Sequence, residues 1–110
     1  MAGQPVRSTL SYVDESYKNG ATNIPIAGTA VPLSAISAAC NEILIQARRT
    51  NVGRIYIGGL GITNADNGGV MLQPVADPGQ PGSIQISAQN LNQIYLNASV
   101  GGDGVTFIYW

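Results

Sequence analysis

The chain has 110 residues with a formal net charge of −1, from five Lys/Arg and six Asp/Glu. Its length supports one modest core, and its charge offers no basic stripe for a phosphate backbone. With no histidine and a single cysteine, Cys40, it lacks the commonest general base, an intrachain disulfide and a thiolate zinc cluster.

Residues 1–28 read as an extended N-terminal arm. Arg7, Asp14, Glu15 and Lys18 lie here, with Tyr12, Tyr17 and Ile24, and no strand or helix period runs through them. Fully extended, the arm reaches roughly 90 Å. Met1 to Pro5 shows no basic region leading into an apolar stretch, so no signal peptide is read. No apolar run is long enough for a membrane span.

Residues 29–110 read as an all-β domain, an antiparallel β-sandwich or jelly roll. A short helical turn over 34–39 is a minor alternative at its start. Glu42 to Arg48 alternates as a strand with Ile43, Ile45 and Ala47 on one face. Asn51-Val52-Gly53 predicts a turn that pairs it in a hairpin with Arg54 to Ile57. Gly58-Gly59 closes that strand and is expected to need positive φ. Gly61 to Gly69 is loop, Val70 to Leu72 a short strand, and Gln73 to Gly82 a proline-broken loop. Ser83 to Ser87, Gln93 to Ala98 and Val105 to Trp110 are the remaining strands. Such short strands between glycine-rich turns predict a two-sheet architecture.

Candidate chemistry is sparse. The carboxylates Asp14, Glu15, Glu42, Asp66, Asp77 and Asp103 form no recognisable acid/base pair. Cys40 has no histidine to activate it and reads as packing. Asn64-Ala65-Asp66-Asn67-Gly68 faintly suggests a calcium loop but lacks the terminal bidentate Glu. Gly58-Gly59-Leu60-Gly61 precedes no helix, which weakens a phosphate loop. Arg48, Arg49 and Arg54 make the only local positive cluster. No enzyme, no metal and no cofactor are expected. Leu44, Tyr56, Tyr95, Ile108 and Trp110 fall at outward parities, where a monomer wants polar residues, and predict an oligomer interface.

Several stretches together resemble a small β-sandwich module of tailed-bacteriophage virion proteins. They are Val31-Pro32-Leu33-Ser34, Cys40 to Ala47, Asn51 to Gly59, Leu72-Gln73-Pro74, Leu91 to Ala98 and Gly101 to Val105. The loop from Val75 to Pro81 is longer than that pattern usually has. The resemblance implies a capsid decoration (cement) protein: a homotrimer bound to the major capsid protein. It would be assembled in the host cytoplasm and located in the virion, with no nucleic acid or membrane partner. Under it, Arg7, Tyr12, Asp14, Tyr17, Lys18 and Ile24 are the expected capsid-contacting arm residues. The alternative is a tail, baseplate or fibre component with a glycan-binding surface near Tyr95, Asn97, Tyr109 and Trp110.

Overall fold

The computed structural model describes residues 17–65, 68–74 and 81–110. Among them run eight strands: β1 Lys18–Asn23, β2 Val31–Pro32, β3 Glu42–Ala47, β4 Ile55–Gly58, β5 Val70–Leu72, β6 Ser83–Ser87, β7 Tyr95–Ala98 and β8 Gly104–Tyr109. They form two antiparallel sheets, ordered β1-β8-β3-β6 and β2-β7-β4-β5. The protein is all-β and sandwich-like.

Alternation builds the first sheet. In β3 the side chains of Ile43, Ile45 and Ala47 are buried, while Leu44 and Gln46 are exposed, as the two-residue period of a half-buried strand requires. Ile24, Leu33, Ile55, Ile57, Leu96 and Val105 join them from the other elements, each 2% exposed or less, in one core shared by both sheets. Burial of each such aliphatic side chain stabilises the fold by about 1.5–3 kcal/mol.

The second sheet is buried more deeply. Tyr56 lies among the buried residues of β4, and Asn97 among those of β7. Both point away from the core, under the connection that follows β4. Asn97 donates from Nδ2 to the Ile62 carbonyl and accepts at Oδ1 from the backbone N–H of Gly28 and Ala98. A buried amide so satisfied fastens two loops over the sheet.

Three expectations need correction. The arm does not extend to residue 28: Lys18–Asn23 pair along β8, and Ile24 is 0% exposed in the core. The predicted hairpin of β3 with β4 does not form, because β3 lies in the first sheet and β4 in the second. The chain crosses between sheets at 48–54, where Asn51 exchanges two hydrogen bonds with the backbone of Gly104 (2.8 and 2.9 Å). Gly58 and Gly59 are not among the positive-φ glycines of the described residues, which are Gly28, Gly69 and Gly102. Instead Gly58 accommodates Ile62, whose Cδ1 would stand 2.9 Å from a Cβ there. The 34–39 segment is not helical, and Ala39 forms a bridge with Asn90.

The one helical turn among the described residues is a 3-10 turn, Leu91–Gln93, between β6 and β7. Asn90 caps it by accepting from the Asn92 N–H, and Gln93 Oε1 accepts back from the Asn90 N–H. This reciprocal arrangement is a capping box.

Candidate functional site

The outward face of the first sheet follows from the ladder register. Asn19, Ile108, Leu44 and Gln85 stand side by side in one row across β1, β8, β3 and β6. Ala21, Thr106, Gln46 and Ser83 form the next row. Trp110 continues the ladder beyond β8. Its N–H donates to the Glu42 carbonyl (3.0 Å), and its own carbonyl accepts from the N–H groups of Asn41 and Glu42 (2.7 and 3.0 Å). That places a third row, Tyr17, Trp110, Glu42 and Ser87, at one end of the face.

In that end row the rings of Tyr17 and Trp110 meet edge to face, with centroids 5.2 Å apart. Glu42 accepts from Ser87 Oγ at 2.7 Å and from Gln85 Nε2 at 3.3 Å. It is the single charged side chain in the three rows. A shallow groove of about 490 Å³ runs over it, lined by Asn19, Ala21, Leu44, Gln46, Thr106 and Ile108 among others.

The five residues expected at an oligomer interface do not share a plane. Leu44, Ile108 and Trp110 lie on this face. Tyr56 and Tyr95 belong to the second sheet, Tyr56 beside Asn97 and Tyr95 beside Gly58. Tyr56 is 3% exposed, which removes it from any exposed interface of this chain. Parity puts it outward, as expected, but the connection after β4 covers it, and Gly68, Gly69 and Met71 line a cleft beside it.

Of the expected arm contacts, Arg7, Tyr12 and Asp14 lie outside the described residues. Tyr17 and Lys18 are exposed, Tyr17 at 65%. Ile24 is a core residue and is withdrawn as a contact. Of the suggested glycan residues, Asn97 is buried, Tyr109 lies at the parity of the core-facing Phe107, and Tyr95 is on the other sheet. Trp110 alone stands on the outer face.

Of the suggested calcium loop, Asn64 is held by its Nδ2, which donates to the Ala98 carbonyl (3.4 Å), while Asp66 and Asn67 lie outside the described residues. No group of three or more His, Cys, Asp or Glu able to hold a metal occurs among the described residues. Cys40 Sγ donates to the Ala88 carbonyl (3.1 Å). Burial, and secondarily the negative charge of Glu42, push its thiol pKa up, the opposite of what activates a nucleophile. No helix among the described residues is long and apolar enough to cross a membrane.

No protein-family model, curated protein or solved structure matches this chain. Asn19 and Glu42 are the residues of this face that the sequence does not single out, and Gln46 and Gln85 read there only as uncharged outward positions. Their outward parity is visible in each strand, but only the register brings them together.

Proposed function

We propose that the protein is a structural virion component. In this reading it is a capsid decoration protein that binds the outer surface of a bacteriophage capsid as a homotrimer and stabilises the coat lattice. The observation that carries the reading is the nesting of the strand pairs. β1 pairs with β8, β2 with β7, β3 with β6 and β4 with β5. Nested pairing across two four-stranded sheets supports a jelly roll, an architecture that recurs in viral capsid domains.

The mechanism is mechanical. A rigid knob spans adjacent coat subunits, and the area buried under it resists their separation. The proposed subunit contact lies on the side of the second sheet, where Val70 and Met71 on β5 are 41% and 37% exposed. Leu60, 74% exposed, sits in the neighbouring loop that lines a cleft with Gly68 and Gly69. Exposed aliphatic side chains of this kind favour burial against a copy of the same chain. The N-terminal residues, Arg7, Tyr12 and Asp14 among them, are the proposed contact with the major capsid protein.

Co-sedimentation with undecorated capsids tests the reading. Saturable binding at a copy number on the scale of the coat lattice supports it. A handful of copies per particle, located at the tail, would replace it with the tail, baseplate or fibre role.

A further inference from the structure

We propose that the outer face of the first sheet binds a neutral polysaccharide chain. The proposal goes beyond the decoration role and does not rest on it.

A sugar ring has an apolar face of C–H bonds and a rim of hydroxyls that donate and accept. A protein surface that suits it offers an aromatic or aliphatic floor, flanked by amides and carboxylates, with little net charge. The first sheet's outer face has each part. Tyr17 and Trp110 supply the aromatic floor at one end; because their rings meet at 76°, they cannot stack on each other and leave Tyr17 largely exposed. The electron-rich face of such a ring attracts the partial positive charge of C–H bonds. Asn19 and Gln46, both exposed, flank the groove from β1 and β3.

Glu42 supplies the strongest acceptor. Its two oxygens take one hydrogen bond each, from Ser87 and Gln85. An ionised carboxylate offers about four lone-pair sites, so capacity remains for ligand hydroxyls, and the two bonds already made fix the group's orientation. The shallow groove is lined by Asn19, Leu44, Gln46, Thr106 and Ile108, and the row of Tyr17, Trp110 and Glu42 stands beside it on the same face.

The same features argue against other occupants. No lysine or arginine stands in the three rows, so the face offers nothing to a polyanion. As a contact between copies, it would bury Asn19, Gln46 and Gln85, and each amide left unmatched carries a desolvation cost. An open chain of hydroxyls satisfies amides in either sense.

The protein contains one tryptophan, and it stands at this site, so its fluorescence reports directly on occupancy. The full chain is titrated with a soluble β-glucan, dextran and galactomannan, and with alginate as an anionic control. The expected result is a saturable change in emission with at least one neutral polysaccharide and none with alginate. Tyr17→Ala and, independently, Asn19→Ala should each weaken binding about tenfold, a loss near 1.4 kcal/mol, with melting temperatures close to the parent's. Gln46→Ala serves as a third probe if either variant fails to fold. No response to any neutral polysaccharide overturns the proposal, as does equal binding of alginate. A lower sedimentation mass in Tyr17→Ala, without any polysaccharide effect, would assign the face to self-association instead.

Discussion

The carboxylate of Asp103 accepts a 2.7 Å hydrogen bond from the backbone N–H of Gly53, fifty residues earlier in the chain. It also accepts from Val52 N–H at 3.0 Å, and it is 5% exposed. Asp103 sits between β7 and β8, while Val52 and Gly53 sit between β3 and β4. The contact therefore secures the crossing from the first sheet to the second. Asp103→Ala removes the partner of two part-buried N–H donors and should cost about 1–2 kcal/mol. Asp103→Asn, which retains an acceptor, should cost less. Urea unfolding midpoints compared at constant m-value measure the difference.

Gly20 lies opposite Phe107 in the β1–β8 ladder, and the ring covers it: a Cβ there would stand 2.5 Å from the ring's Cζ. Gly20→Ala should displace the ring and destabilise the protein by about 1–3 kcal/mol through overpacking. Phe107→Leu in the same background should recover part of that loss. A double-mutant cycle in thermal unfolding reads the coupling, and strict additivity would show that the two residues do not compete for space.

This pair also explains why β1 was missed. Lys18-Asn19-Gly20-Ala21-Thr22-Asn23 carries no large apolar side chain, so strand propensity has little to detect. The inward position that a strand normally fills for itself is filled here by Phe107 from its neighbour. By contrast, β3, β4, β6, β7 and β8 are legible, because Ile43/Ile45, Ile55/Ile57, Ile84/Ile86, Ile94/Leu96 and Val105/Phe107 alternate, and β5 reads as a short apolar run, Val70 to Leu72. Alternation reports which side chains point inward but not which strand lies alongside. The assignment of β3 and β4 to different sheets depends on Asp103 and Asn51, whose partners are far away in sequence. The 3-10 turn did leave a local signal, since Asn90-Leu91-Asn92-Gln93 has the spacing of a capping box. The candidate site was legible only in fragments, Leu44, Ile108 and Trp110, because the amides between them acquire meaning through the register.

Cys40 gives a pH dependence with a definite sign. Burial, then Glu42, raise its folded-state pKa above the ordinary value of 9.0. The protonated thiol is thus favoured in the folded state. The associated stability is fully present below the ordinary thiol pKa and is lost as pH rises through the raised folded value. Native alkylation by iodoacetamide should therefore be slower at pH 8.5 than in urea-unfolded protein, and should accelerate only at more alkaline pH. A native rate equal to the unfolded one at pH 8.5 would show that the thiol is not shifted.

Met71→Glu should shift the sedimentation-equilibrium mass of the proposed trimer toward that of a monomer, because burying a carboxylate in an apolar contact costs several kcal/mol. Unchanged assembly would move the subunit contact away from β5.

Truncation separates attachment from folding. Removal of residues 1–16 leaves β1 entire, whereas removal of 1–20 deletes three of its six residues. The shorter truncation should retain the parent's melting temperature and lose affinity for undecorated capsids in co-sedimentation. Full binding by that variant would place the attachment on the knob itself.

Where the protein resides on the particle is open to direct observation. An electron-microscopy reconstruction of the particle, compared with one lacking the protein, decides it. A decoration protein gives difference density on the outer capsid surface, three copies of this fold at each occupied site, repeated across the lattice. Density confined to the tail, or none on the particle, would contradict that role.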